Sequence, residues 1–127
     1  MTPEAENYLI KARNDLEEAR KIVAIGLTTV AARSAYYAAF HAAEAFIIDR
    51  TGKVVKTHSG VRSEFARLAK DTPGIDLKFT IFLAKAYMYK EIGDYGIGPD
   101  AIVSLDAANE AIATTEQFIE CITMVLS

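Results

Sequence analysis

Four side chains with usable chemistry recur at helical spacing: Arg33, Tyr37, His41 and Glu44. Steps of four, four and three stack them along one side of a helix. An arginine can hold a phosphate, a tyrosine can stack on a base, and a histidine exchanges protons near neutral pH. Two further groups belong with them. Asp94 and Tyr95 are the chemically active pair in the stretch Gly93-Asp94-Tyr95-Gly96-Ile97-Gly98-Pro99, and Lys53, Lys56, His58 and Arg62 form a basic segment near a helix start. Arg33, Tyr37, His41, Asp94 and Tyr95 are therefore the candidate walls of a cleft for a nucleotide or RNA. The basic segment is a second candidate phosphate site, helped by free N–H groups at the helix start.

Each group also has a plainer reading. Arg33 can pair with Asp94 and simply clamp the glycine-rich stretch onto the helix, because a charge buried without a partner is costly. His41 can be a core histidine with both nitrogens satisfied, and Thr57 with its basic neighbours can be a capped helix start in solvent. Tyr36 and Phe40 read as core, while Tyr37 and Tyr95 stay open between core and ligand. For catalysis the candidates are His41, Arg33 and His58, with a histidine as general base and an arginine facing phosphorane charge. Arg33 and His41 are eight residues apart, so they point ~80° and ~12 Å away from each other on one helix. Side by side they do not grip a single phosphate.

The elements that must position these groups are helices. Thr29 to Arg50 carries no Pro or Gly and holds eight alanines between Ala31 and Ala45, which predicts a long central helix closely approached by its neighbours. Before it, Leu9, Ala12, Leu16, Ala19 and Val23 form the apolar stripe of a first helix, capped by Thr2 with Pro3 at its first position and closed at Gly26; Asp15 falls on its solvated face. Thr28 or Thr29 is the expected cap of the central helix. Thr57 or Ser59 starts a third helix with Val61, Phe65 and Leu68 inward and Arg62 outward, and Asp71-Thr72-Pro73-Gly74 ends it. Asp76 caps a fourth, whose inward line is expected at Leu77, Ile81, Ala84 and Met88, widened by Phe82, Ala86 and Tyr89. Gly93 to Pro99 reads as an irregular loop. Ser104 then caps a last helix with Leu105, Ala108, Ile112, Thr115, Ile119, Ile122 and Leu126 inward. The fold class is all-α: an up-and-down antiparallel bundle of four to five helices in one domain, residues 1–127.

Bulk properties exclude several classes. With 51% apolar and 24% charged residues the chain is ordinary globular material. A net charge of −3 leaves room only for local contact with RNA. One cysteine and two histidines give no metal signature, and no cofactor motif is present: neither GxxxxGK[ST], GxGxxG nor HExxH occurs. No apolar run reaches the ~20 residues of a membrane span, and the acidic first residues lack a signal core, so a cytoplasmic location is expected.

Three segments together carry a resemblance. Arg33-Ser34-Ala35-Tyr36-Tyr37-Ala38-Ala39-Phe40-His41-Ala42-Ala43-Glu44 resembles the second helix of HEPN domains. Lys56-Thr57-His58-Ser59-Gly60-Val61 is similar to the Lys-Thr-His-Ser-Gly segment of one large prokaryotic branch, and Lys90-Glu91-Ile92-Gly93-Asp94-Tyr95 to that branch's Arg-x-x-Ala-Asp-Tyr motif. The resemblance implies a helical bundle that is commonly a homodimer, often encoded beside a minimal nucleotidyltransferase as a toxin–antitoxin pair. Some such domains are metal-independent ribonucleases with an Arg-x(4–6)-His motif. Here the nearest arginines before His41 and His58 are Arg33 and Arg50, each eight positions back, and Lys90 replaces the arginine before Asp-Tyr. Three readings follow: a domain that binds a nucleotide, RNA or a nucleotidyltransferase; a ribonuclease toxin; or an interaction module with an exposed apolar seam at Phe79-Ile81-Phe82 or Phe118-Cys121-Val125.

Overall fold

The computed structural model describes residues 1–127. Five helices follow in order: α1 Pro3–Ala24, α2 Thr28–Thr51, α3 His58–Lys70, α4 Leu77–Tyr95 and α5 Leu105–Leu126. The fold is an all-α bundle, as the 3.6-residue periodicity predicts. Helix α2 is its axis and packs against each of the other four. All eight alanines from Ala31 to Ala45 are fully buried. With alanines on several faces, α2 admits close neighbours there; the buried Thr115 hydroxyl of α5 donates to the Ala35 carbonyl at 3.2 Å.

Most termini follow their sequence signals. Thr2 accepts from the Ala5 N–H with Pro3 at the first position, Thr57 from Gly60, Asp76 from Lys78 and Ser104 from Ala107. The Thr2 N–H also donates to Asp49 at 3.0 Å, which ties the start of α1 to the end of α2 and makes the pair antiparallel. Gly26 and Gly52 close α1 and α2 with positive φ, where a side chain would be strained.

Other expectations are corrected. Neither Thr28 nor Thr29 caps α2; Leu27 holds that position without a side-chain bond. The Thr28 hydroxyl instead donates to the Val103 carbonyl at 2.6 Å, and Thr29 accepts from the Val103 N–H at 3.0 Å. The two threonines thus pin the approach to α5 across the α1–α2 turn. Gly93, Asp94 and Tyr95 are the last turn of α4 rather than loop. On α4 the buried face is Phe79, Leu83, Ala86 and Tyr89; Leu77, Ile81, Ala84 and Met88 point outward. Phe79 and Phe118, expected in exposed seams, are core: Phe118 lies 5.3 Å from both the Phe65 and the Phe79 ring. Leu105 is exposed, while the rest of its stripe is buried.

Candidate functional site

Arg33 is fixed from three directions. Its Nε donates to Asp94 Oδ1 at 2.7 Å, and Lys90 Nζ holds the other carboxylate oxygen at 3.2 Å. Its guanidinium lies over the Tyr37 ring, 4.9 Å from the centroid. Gly93, one turn below Lys90 on α4, lets the Arg33 stem pass: a Cβ there would sit 2.9 Å from Arg33 Cδ. Burial works to raise the Asp94 carboxyl, but hydrogen bonds from Arg33 and Lys90 outweigh it and hold it below the ordinary carboxylate range. The same bond to Asp94 pushes the Lys90 ammonium up. The Arg33 terminal nitrogens have no protein partner and are not enclosed.

Arg33 lines a cleft of about 260 Å³ between α1 and α2. Lys11, Asp15, Glu18, Arg33, Ser34, Tyr37 and His41 line it. Asp15, read from the sequence as solvated, is buried, because Lys11 donates to it at 3.1 Å and His41 Nε2 faces it at 3.4 Å. His41 Nδ1 lies 2.7 Å from Glu44 Oε1. His41 Nδ1 is thus hydrogen-bonded to a carboxylate, while Nε2 faces a second carboxylate without a hydrogen bond. Glu18 has no such partner and also lines the cleft.

The five-residue cleft expected from the sequence thus divides. Arg33, Tyr37 and His41 line one cavity together. Asp94 stands behind Arg33 and positions it, and Tyr95 is exposed beside Lys90, whose Nζ is 5.3 Å from the ring centroid. The α1 contribution of Lys11, Asp15 and Glu18 was missed. Lys11, Asp15 and Glu18 recur at helical spacing and could have been paired with Arg33 through the short α1–α2 turn.

The basic segment does not converge on one site. Lys53 and Lys56 are exposed, and Lys53 borders a hollow of about 360 Å³ with Thr51, Val55, Glu64 and Arg67. His58 turns inward: its ring stacks on Phe40 at 4.4 Å and its Nδ1 lies 2.7 Å from the Tyr36 hydroxyl. Burial, with Lys90 and Arg62 nearby, lowers its pKa, and burial pushes the Tyr36 phenol up. Arg62 is not outward either; its guanidinium lies 4.2 Å over the Tyr87 ring, with Nη1 buried and unpartnered. His58 and Arg62 thus knit α3 to α2 and α4. The largest recess, about 580 Å³, lies elsewhere, between the start of α4 and the end of α5, and collects none of these groups.

A five-helix bundle with a polar cleft against its central helix defines the class as a small helical domain with a surface site. The sequence matches the HEPN domain family over residues 5–125, and the chain belongs to that family. It is similar to a UPF0332 protein of Gloeobacter violaceus, 28% identical over 120 residues covering 94% of both chains. It is likewise similar to a UPF0332 protein of Archaeoglobus fulgidus, 31% identical over 117 residues, 92% of this chain and 90% of that one.

Proposed function

We propose that this domain binds the phosphate-bearing strand of a nucleotide or RNA in the α1–α2 cleft. The observation that carries the reading is Arg33, a residue of the cleft lining that is anchored through Nε, set over Tyr37 and left without protein partners at its terminal nitrogens. A guanidinium held this way loses little freedom on meeting a phosphate. Tyr37 offers the same ligand an aromatic face. Glu18 and Ser34 can accept from ribose hydroxyls, which supports a preference for ribose over deoxyribose. At about 260 Å³ the cleft falls just short of the ~300–1,000 Å³ of enclosing small-ligand pockets, so it grips one unit of a longer strand more naturally than it surrounds a free nucleotide.

Isothermal titration with a mononucleotide, a short RNA and the matching DNA tests this. Heat is expected with RNA, and Arg33→Gln should weaken binding by roughly 10- to 100-fold, the worth of a charge-assisted hydrogen bond. Absence of heat with all three would remove the ligand reading. The toxin–antitoxin pairing with a minimal nucleotidyltransferase is supported by family membership alone, and co-purification of the two proteins tests it. The ribonuclease reading gains little from the geometry, since His41 Nδ1 is bonded to Glu44 and His58 faces inward.

A further inference from the structure

The charges along the α1–α2 cleft do not add up to a basic site. Its lining holds two cations, Lys11 and Arg33, and two carboxylates, Asp15 and Glu18. Most of them are already committed. Lys11 holds Asp15 at 3.1 Å, and Asp15 is buried, so turning Lys11 toward a ligand would leave a buried carboxylate without its hydrogen-bond donor. Arg33 gives its Nε to Asp94 at 2.7 Å, and Asp94 takes Lys90 on its other oxygen at 3.2 Å; these three groups keep a single net positive charge. Glu18 is exposed and, unlike Asp15 and Glu44, sits in no ion pair. A ligand in the cleft therefore meets one uncommitted cation, Arg33, in the company of one uncommitted carboxylate, Glu18.

That balance suits an anion of one charge. A phosphodiester inside a strand carries one negative charge, whereas a phosphomonoester, with a second pKa of about 6, carries nearly two above neutral pH. The second charge finds no further free cation in the lining and is repelled by Glu18. A cleft of about 260 Å³ is narrower than the ~10 Å Debye length at 0.1 M salt, so dissolved ions leave much of that repulsion unscreened. We propose that Glu18 is a specificity-determining residue of the cleft, which accepts the singly charged phosphodiester of an internal strand linkage and disfavours the doubly charged phosphate of a free nucleotide or a strand end. The proposal rests on the α1–α2 cleft being the RNA site, and it adds a criterion of charge to the criterion of size. Selection of this kind works through the penalty placed on the wrong ligand. A hydrogen bond from a ribose hydroxyl needs only an acceptor oxygen at position 18, so the charge of the glutamate can be removed without removing that contact.

Fluorescence anisotropy tests this, with the full chain and a labelled short RNA lacking terminal phosphates at pH 7.5. The competitors are adenosine 5′-monophosphate and its methyl ester, which differ by one methyl group and one charge. The ester should displace the RNA at a concentration about tenfold or more below that of the monophosphate, the scale of one like-charge contact near a protein surface. Glu18→Gln keeps an acceptor oxygen and removes the charge. It should strengthen the monophosphate more than the ester and bring the two within about threefold of each other. Glu110→Gln, the same change at an exposed position of α5 outside the cleft, should leave the wild-type ratio in place. Equal displacement by the two competitors, a ratio that survives Glu18→Gln, or no displacement by either at roughly 10 mM, tenfold above a Kd of about 1 mM, overturns the proposal while RNA binding stands. An RNA that gives no anisotropy change with the wild type removes the reading of the cleft, and the proposal with it.

Discussion

The imidazole of His58 lies among Tyr36, Phe40 and Tyr87, with the Arg62 and Lys90 charges nearby. Its folded pKa is below the ordinary ~6.5, so the unfolded chain takes up the proton first on acidification. The stability this group contributes is complete above pH ~6.5 and is lost as pH falls from there through the folded value. Urea denaturation at pH 7.5 and pH 5 should therefore show a loss in the wild type that is smaller in His58→Gln; equal losses in both would contradict the account. Asp94 works on the other side of the scale. Its clasp on Arg33 is complete above the usual carboxylate pKa of ~3.9 and lost as pH falls through its lower folded value, so it persists across the range where His58 titrates. The Arg33–Asp94 pair was legible, because an arginine and a carboxylate brought together on neighbouring helices gain by pairing. The inward turn of His58 and Arg62 was not, since Lys53, Lys56 and Arg62 look like a solvated cluster until Tyr36 and Tyr87 are placed beside them.

At the scale of elements, helix starts and stops were written in short-range chemistry and were read correctly at Thr2, Gly26, Asp76 and Ser104. The α4 assignment failed for a physical reason: with apolar residues on both faces, periodicity alone cannot say which face is inside, and the longer-looking line was the outer one. The Gly93 assignment failed because glycine signals a break only when its freedom is what the chain needs. Here its missing side chain is what matters, giving room to the Arg33 stem. In a helix, Gly→Ala ordinarily gains about 0.5–1 kcal/mol. Gly93→Ala should spend that gain against Arg33, leaving urea stability within about 1 kcal/mol of wild type while ligand affinity falls several-fold. Undiminished affinity measured by titration calorimetry would show that the Arg33 approach does not depend on the glycine.

Across the whole molecule, α2 serves both stability and function. Its alanines let four helices pack closely on it, while Arg33, Tyr37 and His41 line the open cleft beside α1. The fold was legible because each amphipathic helix announces its own buried stripe. The cleft was half legible, because its second wall comes from α1, and only the packing of α1 on α2 shows which polar residues of that wall turn inward. The most direct test is a nitrogen–proton correlation spectrum of the full chain titrated with a short RNA. The account predicts signal shifts concentrated at Lys11, Glu18, Arg33, Ser34, Tyr37 and the Arg33 Nε–H. Shifts confined to Lys53–Arg62, or none at saturating RNA, would contradict it.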